Sequence, residues 1–143
     1  DKKEFEKYLS NLNKNEELLD RTCVNFNRQV KKLMSIICSN SKRDLELEDM
    51  RQQVLVALGV DDRIAIKVLG PFINEYKSYI DNNDFSQLLN DDILNLKKYN
   101  ADAASNLRIF NVLKSQYINF THDEKNIIHD IIKNMLNFHL AFV

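Results

Sequence analysis

His122 and His129 stand seven residues apart with Asp123, Glu124 and Asp130 beside them, a set whose residue types suit a metal ion. Seven residues is close to two helical turns, so on a helix the two imidazoles share a face about 10 Å apart. One zinc ion does not span that distance, and no His-Glu-x-x-His or related zinc pattern accompanies them. The pair reads as surface histidines. Asp61-Asp62-Arg63 offers two carboxylates, but adjacent helical residues point in different directions, so acidic capping of a helix N-terminus accounts for them better. Cys23 and Cys38 lie fifteen residues apart. On one helix that is about 22 Å, too far for a disulfide, which leaves two small apolar fillers. Asn119-Phe120-Thr121 matches a glycosylation acceptor, but Thr121 also opens a helix-capping sequence, the preferred reading. Lys42-Arg43 and Lys97-Lys98 are isolated basic pairs on solvated edges. There is no Gly-rich phosphate loop, no Gly-x-Ser-x-Gly elbow and no Cys/His pairing at a catalytic spacing. The residues support no enzyme, no metal and no cofactor.

What positions these residues is a chain almost without breakers. Its 143 residues include two glycines and one proline, far below average usage. Nothing interrupts helical periodicity, so the expectation is an all-α fold in a single domain, residues 1–143. Apolar residues make up 44% and charged residues 29%, with 20 basic and 21 acidic side chains. A net charge of −1 supplies no basic surplus to neutralise phosphates, so nucleic acid is not an expected partner. No run of about 18 apolar residues exists, so membrane attachment would need a segment outside this chain. A start at Asp1 and a stop at Val143 lead to the expectation of a fragment trimmed of a terminal segment.

Along the chain, Phe5, Tyr8, Leu9 and Leu12 predict a short amphipathic helix over residues 2–12, with Asn11 to Asn15 as a polar joint. A longer helix follows to about Cys38 through Leu18, Leu19, Cys23, Phe26, Val30, Leu33, Met34 and Ile37. After a loop at Ser39–Asp44, Glu46 to Leu58 forms the next helix through Met50, Val54 and Ala57, ended by Gly59 as its C′ residue. Asp61 or Asp62 caps a helix from Arg63 to Tyr79, which Gly70-Pro71 kinks or splits. Asn82-Asn83-Asp84 opens a helix to about Lys98, and Ala101 to Phe120 is another. Thr121-His122-Asp123-Glu124 is a capping box for the last helix, with Ile127, Ile128, Ile131, Ile132, Met135 and Leu136. The total is seven or eight helices in a globular bundle, with no internal repeat.

The most apolar stretch runs from Val54 to Val60 and from Arg63 to Ile73. A helix apolar nearly all round occupies the centre of a bundle, so residues 63–73 are expected to form the hub. Arg63 at its mouth has two readings. It pairs with an acidic neighbour of its own chain, or it takes a partner's carboxylate in bidentate fashion.

This arrangement resembles the Bcl-2 family of apoptosis regulators, in particular its divergent poxvirus-type members. The likeness rests on Gly59-Val60-Asp61-Asp62-Arg63-Ile64-Ala65-Ile66-Lys67-Val68-Leu69-Gly70, which looks like the start of that family's hub helix. The helix from Leu18 is similar to a degenerate Bcl-2 homology-3 helix, with Leu19, Cys23, Phe26, Val30 and Met34 at the apolar positions. The chain departs from the pattern in having no tryptophan, Asp61-Asp62 before the arginine, Val24 and Asn25 where an aspartate belongs, and Pro71 within the hub. What the resemblance implies is a Bcl-2-like inhibitor of apoptosis. It would capture the amphipathic homology-3 helix of host pro-apoptotic proteins in a surface groove. The groove would be floored by Phe26, Val30, Met34, Met50, Val54 and Ile66, with Arg63 pairing the ligand's aspartate. Each buried anchor contributes roughly 1.5–3 kcal/mol, so four suffice for sub-micromolar binding after ordering costs. The protein would act in the host cytoplasm, or at the mitochondrial outer membrane if an anchor was removed. Two alternatives stay open: a Bcl-2-fold inhibitor of innate immune signalling that lacks an open groove or dimerises through an outer face, and a helical surface or adhesion protein of a bacterium or parasite.

Overall fold

With no glycine or proline before Gly59, the first helix has nothing to stop it. In the computed structural model, which describes residues 1–39, 44–90 and 101–143, α1 runs unbroken over Lys2–Ser39. The joint expected at Asn11–Asn15 is absent. Asparagine costs a helix only about 0.7 kcal/mol per residue or less, and a polar run without a breaker continues helical. The expected loop at Ser39–Asp44 lies mostly outside the described residues.

The second helix, α2 (Leu45–Val60), begins where Asp44 caps it, its carboxylate accepting from the Glu46 and Leu47 amides at 3.0 and 3.3 Å. Glu46 and Glu48 add negative charge at the positive end of the helix dipole. Gly59 does not end this helix. Its φ is not left-handed, and the backbone leaves the helix at Asp61, in extended conformation with its amide on the Ala57 carbonyl. The Asp61 carboxylate then accepts from the Arg63 amide at 3.0 Å, turning the chain into α3 (Ile64–Asn74).

Pro71 lies inside α3 with its ring exposed, so the carbonyl it leaves without a backbone donor faces water. The predicted break therefore comes later than the proline. Glu75 donates to the Pro71 and Phe72 carbonyls and Tyr76 to that of Ile73, a tightened turn that separates α4 (Lys77–Asp81). Asn83 takes the left-handed conformation (φ 57°), which asparagine tolerates better than most residues. Asp84 accepts from the Ser86 amide to start α5 (Ser86–Asn90). The remainder of the helix expected to reach Lys98, and the Lys42-Arg43 and Lys97-Lys98 pairs, lie outside the described residues. Helix α6 covers Ala101–Tyr117, ending three residues before Phe120 because the Asn119 and Phe120 amides turn back onto the Gln116 and Tyr117 carbonyls.

The capping box forms as its sequence predicts. Thr121 Oγ1 accepts from the Glu124 amide at 3.1 Å, and Glu124 Oε1 accepts from the Thr121 amide at 3.0 Å, opening α7 (His122–Phe142). The described residues are thus an all-helical bundle of seven helices, with no strand among them. Helix α3 touches α1, α2, α6 and α7, and Ala65, Ile66, Leu69, Phe72 and Ile73 on it are buried. Helix α7 lies along α1 and crosses α3 closely at Gly70. A Cβ there would stand 2.3 Å from His139 Nδ1, so only glycine admits the imidazole. Phe72 and Phe110 pack at 5.1 Å between centroids and join α6 to this centre.

Candidate functional site

The recognition residues read from the sequence converge on the start of α3, and the structure fixes where each one points. Arg63 follows the turn whose Asp62 carbonyl accepts from Asn27 Nδ2 at 2.8 Å, a bond that ties the α2–α3 corner to α1. From there the guanidinium reaches α1 itself. Its Nη2 lies 2.6 Å from Asp20 Oδ1 and 3.2 Å from Glu16 Oε2, and its side chain is 28% exposed. Hydrogen bonds to Asp20 and then Glu16 hold the guanidinium proton more tightly than usual. Of the two readings for Arg63, the geometry matches the structural one.

The expected groove floor is closed. Phe26, Val30, Met34, Met50, Val54 and Ile66 do come together, but as core: none exceeds 6% exposure. The reason is that α2 lies against both α1 and α3, and Leu47, Met50, Val54 and Leu58 fill the space between them. Met50 borders a cleft of about 230 Å³ between α2 and α6 that Asp44, Arg108 and Gln116 also line.

An open apolar groove lies instead between α1 and α7. It has a volume of about 370 Å³ and is lined by Gln29, Lys32, Ser35 and Ile36 of α1 and by Ile127, Asp130, Ile131 and Asn134 of α7. Ile127 is 51% exposed at its edge, while Ile131 is buried in its floor. Gln29 and Asn134 face each other across it, Nδ2 to Oε1 at 3.5 Å. Lys32 and Asp130 give the rim one charge of each sign. Sequence reasoning counted Ile127 and Ile131 alike among the apolar residues of the last helix, without separating the exposed one from the buried one. The signal it missed is the doubled ridge: Ile127 and Ile131 form one i, i+4 row, Ile128 and Ile132 another, and one face cannot bury both equally.

The described cysteine and histidine side chains differ in burial. Cys23 is buried in the core and Cys38 is half-buried; both are free, and burial pushes both thiols up, away from thiolate. His129 is half-buried rather than exposed. Phe85 stacks on its ring at 4.0 Å between centroids, and Tyr117 Oη lies 2.6 Å from its Nε2. Burial holds its pKa below the ordinary imidazole range, with Lys133 adding to the effect. Among the described residues no group of three or more His, Cys, Asp or Glu side chains is placed to hold a metal ion. No described helix is long and apolar enough to cross a membrane. No protein family, curated protein or solved structure matches the chain.

Proposed function

We propose that this chain works as a binder rather than a catalyst, capturing an amphipathic helix of a partner protein in the groove between α1 and α7. The single observation that carries this reading is that groove: about 370 Å³, apolar along Ile36, Ile127 and Ile131, with amide and charged groups at its rim. A helix whose apolar residues recur at three- and four-residue spacing would fill it, while Lys32 and Asp130 set its direction. The resemblance to Bcl-2-like proteins suggests the homology-3 helix of a host pro-apoptotic protein as that partner, and inhibition of host cell death as the outcome. In this reading the groove differs from the one the family likeness implies, and Arg63 supports the scaffold instead of meeting the ligand.

A second reading is favoured by the same closed floor. With Met50, Val54 and Ile66 buried and Arg63 occupied by Glu16 and Asp20, a Bcl-2-like inhibitor of innate immune signalling, acting through an outer face without an open groove, also fits.

Titration of a fluorescent homology-3 peptide separates them. Helix capture in the α1–α7 groove predicts saturable binding that Ile127→Glu weakens by about tenfold or more, from the loss of one apolar anchor. Arg63→Glu leaves that affinity unchanged. Absence of binding favours the second reading, and loss of binding in Arg63→Glu but not in Ile127→Glu contradicts the groove assigned here.

A further inference from the structure

Of the three histidines, His139 is the most deeply buried, at 5% exposure, and it lies where α7 crosses α3. Gly70 makes room for it. A Cβ on residue 70 would stand 2.8 Å from the ring's Cγ and closer still to Nδ1, so the imidazole is pressed against a bare α-carbon. That carbon accepts no hydrogen bond, and Nδ1 has no partner among the described residues.

A neutral imidazole bears this arrangement by leaving Nδ1 as an unprotonated lone pair. An imidazolium cannot, because both of its nitrogens donate and its charge would be buried without a partner. Charged neighbours do not relieve it. Asp20, Arg21 and Arg28 of α1 and Lys67 and Glu75 of α3 are exposed, and Lys133 of α7 bonds Asn83. Desolvation is what holds the His139 pKa below its ordinary value.

Burial along α7 stops at this residue. Upstream, Ile128, Ile131, Ile132, Met135 and Leu136 anchor the helix. Beyond it Leu140 is 39% exposed, Ala141 is exposed and Phe142 is half-buried. Freeing residues 139–142 gives up little packing besides the ring itself, and such segments open before the whole structure does.

We propose that His139 is an acid-released latch: protonation drives its ring out of the Gly70 notch and frees residues 139–142 of α7 from α3, while the rest of the bundle stays packed. The closed form takes no proton on this ring, and the open form takes one as a free imidazole does, at about pH 6.5. Opening is therefore favoured as pH falls through that value, and the open-to-closed ratio rises about 25-fold between pH 7 and pH 5. The latch lies beyond the α1–α7 groove, which ends at Asn134, and stands whether or not that groove binds a helix.

Amide hydrogen exchange of the whole chain, read by NMR and corrected for the intrinsic effect of pH, tests the latch. Protection at residues 139–142 falls about 20-fold from pH 7 to pH 5. Because little surface is exposed, that exchange responds weakly to urea below the unfolding midpoint. His139→Leu fills the notch without a titratable group and removes the pH dependence, whereas His129→Gln keeps it. In the unsubstituted chain, the His139 ring signal titrates below the free-imidazole value. A ring that titrates at about pH 6.5 with residues 139–142 still protected overturns the proposal. So does pH-dependent exchange there that survives His139→Leu, or that follows urea as steeply as the exchange of Ile128 and Ile132.

Discussion

Gly70 and His139 show how much a single pair of residues decides. The imidazole occupies the space where any other residue at position 70 would put its Cβ, and Nδ1 sits buried with no hydrogen-bond partner among the described residues. Gly70→Ala must displace the ring or the α3–α7 crossing, so we expect a loss of about 1–3 kcal/mol, read from denaturant midpoints. Burial holds the pKa of His139 and of His129 below the ordinary value. The unfolded chain then binds protons more readily than the native one. Native stability is therefore full above the unfolded imidazole value of about 6.5 and declines as pH falls below it toward the lower native pKa values. A urea midpoint that falls between about pH 7.5 and 5.5 bears this out, and a flat one contradicts it. Neither histidine's burial was legible in the sequence. His122 and His129 looked like an exposed pair, because seven-residue spacing says nothing of Phe85 and Tyr117, which close over His129 from the α4–α5 turn and from α6.

At the scale of elements, local chemistry predicted starts better than ends. Thr121 and Glu124 fix the first turn of α7 through contacts three residues apart, and sequence spacing states such contacts directly. Thr121→Ala should cost about 1 kcal/mol, measurable as a lower thermal midpoint, and Thr121→Ser should recover most of it. Gly59 and Asn11–Asn15 were misleading for the opposite reason. A glycine ends a helix only if the chain turns left-handed there, and a polar run breaks one only if another interaction draws the backbone away. The corner at Asp61 depends instead on tertiary ties, Asn27 to the Asp62 carbonyl and Arg63 to Asp20 and Glu16, while α1 runs on through Asn11–Asn15 because no breaker interrupts it. Arg63→Glu gathers three carboxylates at that corner, so its melting temperature should fall. The deficit should shrink in Arg63→Glu with Asp20→Lys, which restores opposite charge.

For the whole molecule, the central place of residues 63–73 was readable because a helix apolar on most sides has nowhere else to go. The same logic led too far at residues 54–60, where Val56 and Val60 are 64% and 84% exposed and only Val54 and Leu58 are buried. Apolar content identifies the hub but not which neighbouring faces meet, and that pairing decides which groove stays open. Packing of α2 over α1 and α3 buries Met50, Val54 and Ile66, while the doubled isoleucine ridge of α7 leaves Ile127 beside α1. The most direct test of helix capture is an amide-resolved NMR map of the labelled chain on addition of unlabelled homology-3 peptide. The account predicts that the largest shifts fall at Ile36, Ile127, Ile131 and Asn134 and saturate together. Shifts confined to Met50, Val54 and Arg63, or an unchanged spectrum at saturating peptide, would contradict it.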